Sequence, residues 1–174
     1  MWKRKSATKM VTRAEWVLIE NCGFHKGFYN DEDYLKSLQN IHYSDFFEVP
    51  DEEDFIYHSA YVLLNGSCNH FAIALSKVHN YNAYIIQPID KECFHAFCQI
   101  HIDKQWYYVD ARGITSSFDE FINGVKSFVG NEFTIRKMSQ IDIDNWEKEC
   151  KYNSEAYAFS EAIINKYSEC YLLT

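Results

Sequence analysis

Residues 94–111 constrain the fold of this chain more than any other stretch. Two alternating runs, 94–102 and 106–111, are separated only by Asp103, Lys104 and Gln105, and so short a polar connection joins strands as an antiparallel hairpin. Alternation puts His95, Phe97 and Gln99 on one face of the first run and Phe94, Ala96, Cys98 and Ile100 on the other. If Asp103 and Lys104 form a two-residue turn, Ile102 lies opposite Gln105, His95 opposite Arg112, and Phe97 opposite Asp110. His95 and Asp110 are then diagonal neighbours on one face. A three-residue turn without a bulge would separate them.

Helical signals surround the hairpin. Residues 13–21 read as a short first helix ended by Cys22-Gly23, and acids at 31–33 open a second through Leu35, Leu38 and Ile41. Pro50 opens a third that stops at Asn65-Gly66. Ser67 then caps a helix with Phe71, Ala74, Leu75 and Val78 at helical spacing, which places Cys68 in a first turn. Residues 83–89 and 132–138 read as strands, Ser117 caps a helix through Phe118, Phe121, Ile122 and Val125, and residues 153–172 read as helical. The order specifies an α+β class. At 174 residues, with 47% apolar residues and 2 prolines, the chain is expected to be one domain, 1–174, with a real core.

A thiol in the first turn of a helix meets the positive end of the backbone dipole and unpaired amide donors, which favour thiolate over thiol. Cys68 is therefore the candidate nucleophile, with Gly66 and Ser67 leaving room for a substrate. Its own amide forms half of a candidate oxyanion hole, with Asn65 as first choice for the other donor and Gln87 as second. His95 is the candidate general base. Asp110 is the candidate orienting group, fixing the imidazole tautomer so that the other ring nitrogen takes the thiol proton. Asp110→Asn is expected to slow turnover with little change in stability.

Residues 65–113 carry a resemblance. The pattern Gly66-Ser67-Cys68, then His95-Ala96-Phe97, then Val109-Asp110-Ala111-Arg112-Gly113 resembles papain-like and transglutaminase-like thiol enzymes, in which a helix-borne Cys is followed by His and Asp or Asn on adjacent strands. Within that superfamily it looks most like small bacterial and phage-associated proteins, and more distantly like effector glutamine deamidases. The resemblance implies a papain-like or transglutaminase-like core and a cysteine-dependent amide hydrolase or acyl transferase. It also implies a protein or peptide substrate, such as one with a target Gln, no cofactor, and a cytoplasmic setting that includes delivery into a host cell. No Gln stands a few residues before Cys68, which argues against papain-style proteolysis. The alternative is an inactive binding or inhibitor protein of the same fold.

Other features have plainer readings. Cys93, His95, Cys98 and His101 have zinc-ligand chemistry, but a strand turns Cys98 away from the other three, so no metal is expected. His70, two residues after Cys68, points away around the helix and reads as a packing histidine. Arg112 reads as a salt bridge holding a loop. The formal charge of -8 disfavours a nucleic-acid partner. No run approaches the roughly 18–20 apolar residues needed to span a bilayer, and the basic stretch before Arg13 lacks the apolar core of a secretory signal. Six cysteines without such a signal imply reduced thiols.

Overall fold

A computed structural model describes residues 38–49, 59–149 and 153–173. Its centre is a five-stranded antiparallel sheet of β1 (Asn82–Pro88), β2 (His95–Ile102), β3 (Gln105–Asp110), β4 (Gly113–Thr115) and β5 (Phe133–Lys137), in spatial order β4-β3-β2-β1-β5. Four α-helices among the described residues accompany it: α1 (Cys68–His79), α2 (Phe118–Val129), α3 (Gln140–Lys148) and α4 (Ser154–Lys166). The class is α+β. No described helix is long and apolar enough to cross a membrane.

The hairpin has the shorter of the two connections. Ile102 pairs with Gln105 and Cys98 with Val109, while Asp103 (φ 51) and Lys104 (φ 66) both take left-handed conformations. Two consecutive positive φ values make the turn a primed type whose twist matches its strands. Continuing this register brings Asp110 opposite Phe97, on the face that carries His95.

Each sheet face has its own helices. On one, Ala83, Ala96, Cys98 and Val109 pack beneath α1 and α4, with Phe71, Ala72, Leu75, Phe159 and Ile163 closing the core. Ile73, Ile85 and Trp146 extend that layer beneath α3. On the other, Ile86 and Phe97 meet Phe121, Val125 and Val129 of α2. Side-chain alternation thus sorts one strand into two cores.

Helix ends follow the capping chemistry of their residues. Ser117 Oγ accepts from the Glu120 amide, and Asn153 Oδ1 accepts from the Glu155 and Ala156 amides. At α1 the start is where Ser67 predicts, but its side chain makes no cap bond. Ser67 instead supplies its carbonyl to the His70 and Phe71 amides.

Some expectations change. The third helix is, among described residues, only a 3-10 turn at Ala60–Leu63, and the end of the second is a 3-10 turn at Leu38–Asn40. Residues 13–21, 31–37 and 50–58 lie outside the described residues. Helix α3 and strand β4 are additions. The tail helix ends at Lys166, followed by a 3-10 turn at Ser168–Cys170.

Candidate active site

Gly66 precedes the nucleophile candidate with φ 112, a conformation that strongly favours glycine. A Cβ there would meet nothing closer than Val62 Cγ2 at 3.9 Å, so backbone conformation and not crowding selects the residue. The resulting turn delivers Cys68 to the start of α1 with only 6% exposure. Its sulfur accepts a hydrogen bond from the Ala96 amide at 3.4 Å, which fastens the first turn of α1 to the first residues of β2.

His95, the first residue of β2, is fully buried. Its Nε2 lies 2.9 Å from Asp110 Oδ2, and the Cys68 thiol lies close enough to the ring to raise its pKa. The diagonal hairpin relation thus becomes a direct contact. Phe97 stacks parallel to the imidazole at 6.5 Å between centroids, and Phe121 closes on it at 6.1 Å. These rings leave the imidazole little rotational freedom.

The Asp110 carboxylate is 2% exposed and held from a second side. Oδ1 accepts from the Arg112 amide at 2.8 Å and from Arg112 Nε at 3.0 Å, while Oδ2 accepts from Arg112 Nη2 at 2.5 Å. Asp110 pairs with Gly113 across the next hairpin, so Ala111 and Arg112 form its two-residue turn. An aspartate before such a turn reaches the amide two residues on, and here the same reach captures the guanidinium. Arg112 is itself fully buried, donates from Nη1 to the Phe121 carbonyl at 3.3 Å and lies over the Phe121 ring at 5.3 Å.

Electrostatics follow from these partners. Burial alone would push the Asp110 carboxyl up, but the Arg112 charge and the hydrogen bonds from Arg112 and His95 hold it far below the usual carboxylate range. An ionised carboxylate only accepts, so His95 Nε2 carries the proton in that bond. Burial likewise pulls the His95 pKa down, yet the hydrogen bond to Asp110, the neighbouring Cys68 thiol and the charges of both leave it raised above 6.5.

No family model matches this chain, and no curated protein or solved structure is significantly similar to it. The chemistry is read from the residues alone.

The structure brings Cys68, His95 and Asp110 into one continuous line of contacts. Asn65 is exposed in the turn ahead of Cys68, and no described contact ties its side chain to the three. Gln87 is committed to a 3.5 Å bond with the Lys91 carbonyl. The zinc-like residues are dispersed: Cys93 is exposed, Cys98 is buried and donates to the Ala72 carbonyl, and His101 stacks on Trp106 at 4.4 Å. Tyr108 belongs to the aromatic cluster around Phe121, while Tyr107 is half-buried. Sequence reasoning gave Arg112 a salt bridge that holds a loop and weighed a structural tie between Asp110 and Arg112 against the orienting role; the structure has Asp110 meet both Arg112 and His95.

The Arg112 contacts change what is expected of one variant: Asp110→Asn removes the charge that compensates a fully buried guanidinium, so a loss of stability is the expected outcome.

Proposed function

We propose that this chain is a cysteine-dependent amide hydrolase or acyl transferase with a papain-like or transglutaminase-like arrangement, working through Cys68, His95 and Asp110. The carrying observation is the buried line from the Cys68 thiol through His95 to the Asp110 carboxylate, with His95 Nε2 2.9 Å from Asp110 Oδ2. With Nε2 held by Asp110, Nδ1 is the nitrogen left to take the thiol proton. The sulfur then adds to an amide carbonyl, and the imidazolium returns its proton to the departing amine or ammonia as the C–N bond breaks. A thioester remains on Cys68. Water, deprotonated by His95, releases a carboxylic acid and restores the thiol; an amine acceptor in its place gives transamidation.

The Cys68 amide and Asn65 are the proposed oxyanion donors, and a protein or peptide with a target Gln is the proposed substrate class. Deamidase, peptidase or amidase, and transglutaminase chemistry share every step up to the thioester. A second reading, an inactive binding protein, draws on the closure of the site, since Cys68 is 6% and His95 0% exposed.

Competitive labelling with iodoacetamide at neutral pH, read peptide by peptide by mass spectrometry, separates the two. The enzyme reading expects Cys68 to react at least about tenfold faster than the exposed Cys93 despite its burial. Cys68→Ala should abolish any turnover while changing stability by no more than about 1–2 kcal/mol, because one sulfur leaves a small cavity. Equal or slower labelling of Cys68 overturns the reading in favour of the inactive one.

A further inference from the structure

Among the described residues, the groups that set the charge at His95 sit on the elements beside it. From β3 and its turn come Asp110 and Arg112; from α1 comes Cys68; the strand neighbour Cys98 has its thiol pushed up by burial and by the Asp110 charge, and so stays neutral. Tyr108 of β3 keeps a raised, neutral phenol, and Glu120 of α2 sits at the exposed rim, engaged by Thr115 Oγ1. Within the buried set, Asp110 and Arg112 cancel. When the thiol and imidazole are both neutral, the set carries no net charge. When the proton has moved from sulfur to imidazole, the set is again neutral.

Without Arg112 both states would carry one uncompensated negative charge among groups that are 0–6% exposed. Burial opposes such a charge, and the carboxylate would escape it by binding a proton. A protonated Asp110 no longer supports an imidazolium. Geometry adds a second constraint, because Arg112 grips Oδ1 with its amide and Nε and Oδ2 with Nη2, leaving Oδ2 aimed at His95 Nε2.

Resting on the proposed catalytic reading, we propose that Arg112 is a positioning residue of the site: it fixes the Asp110 carboxylate against His95 and balances its charge, so that the Cys68 proton can move onto His95 inside the core without creating net charge. A merely structural salt bridge would hold the β3–β4 turn and leave the pH dependence of Cys68 untouched.

The test is the pH profile of Cys68 alkylation by iodoacetamide in the full chain, followed by mass spectrometry of the Cys68 peptide. Arg112→Met is compared with Arg112→Lys, which keeps the charge and loses the fork. The expected result for Arg112→Met is a rise of about one pH unit or more in the midpoint of the profile, with a plateau rate lower by about tenfold. Arg112→Lys should keep the midpoint within about 0.3 units of the parent while its plateau falls severalfold, since one ammonium cannot reproduce the bidentate grip. If Arg112→Met does not fold, Arg112→Lys decides alone: a midpoint shift of a full unit in that folded variant overturns the charge-balancing role. A folded Arg112→Met with the parental midpoint and plateau also overturns it. Failure of the catalytic reading looks different, because the parent's Cys68 would then label no faster than Cys93 and His95→Gln would leave its profile unchanged.

Discussion

Two buried histidines flank Cys68, and they hold opposite charge preferences. His70 sits on α1 at 2% exposure, between that helix and the start of α4, where its Nε2 accepts a 2.8 Å bond from the Asn153 amide. His95 sits at the start of β2 at 0% exposure, where its Nε2 meets Asp110. Burial disfavours the charged form of both. At His70 it wins over a hydrogen bond to the Ser67 backbone, pulling the pKa to about 4, and a protonated Nε2 would turn a donor toward the Asn153 donor. At His95 the carboxylate and the thiol reverse the outcome, and the pKa rises above 6.5. The partner, not the depth, decides which charge state a buried histidine favours.

The sharpest way to break this contrast is to remove the partner. Asp110→Asn should cost about 3–5 kcal/mol, measured as a lower urea midpoint at unchanged slope, because it strands the buried Arg112 charge. It should also turn His95 into a second His70, with an imidazole titration seen by NMR falling below 6.5. A stable Asp110→Asn variant whose His95 titration is unmoved would show that burial and the thiol alone set the histidine. The double variant Asp110→Asn/Arg112→Met, which removes both charges, should recover much of the lost stability.

The next test uses pH. The unfolded chain protonates His70 near 6.5 and the folded chain only near 4, so the unfolded state binds more protons between those values. The His70 contribution is therefore intact above about 6.5 and lost as pH falls toward about 4. His95 has the opposite sign: its folded pKa lies above 6.5, so its contribution is intact below that value and lost as pH rises through the folded pKa. At neutral pH His70→Gln should cost about 1–3 kcal/mol through the orphaned Asn153 amide. That penalty should shrink with acid, whereas the His95→Gln penalty should shrink with base. Urea titrations of both variants across this range give two slopes, and slopes of the same sign would collapse the comparison. His70→Gln should leave Cys68 labelling unchanged.

How much of this was readable before the fold is visible in particular residues. Cys68 at a helix start was legible because Asn65-Gly66 breaks the chain just before an apolar periodicity begins. The contact of His95 with Asp110 was legible because a two-residue turn fixes strand parity. That His70 packs and hydrogen-bonds away from Cys68 followed from its position two residues round the helix, although its partner at Asn153, 83 residues away, did not. Helix α3 escaped notice because it is mostly polar and depends on Trp146 docking with Ile73 and Ile85, a tertiary contact, even though Ser139 and Asp142 form a capping box at its start. Strand β4, with three residues, is too short for any periodicity. The 3-10 turn at Ala60–Leu63 shows local helical signals overridden at the approach to Gly66, where the Ser67 amide turns back to the Val62 carbonyl.

The smallest expected effect concerns the turn that makes the contrast possible. Asp103 and Lys104 hold φ values of 51 and 66, and left-handed backbone costs a residue with a Cβ about 1–2 kcal/mol relative to glycine. Asn-Gly and Asp-Gly are the pairs that satisfy this turn best, so Lys104→Gly converts the existing pair into one of them. Glycine also widens the unfolded ensemble, which offsets part of the relief. The net expectation is a gain of about 0.5–1 kcal/mol in urea unfolding, with His70 and His95 titrating as in the parent. The register should stay as it is, because the loop length is unchanged and Ile102 still pairs with Gln105. A loss of stability in Lys104→Gly would mean that the Lys104 side chain holds the turn, and a shift in the His95 titration would mean that the turn adjusts the distance between His95 and Asp110 as well as their parity.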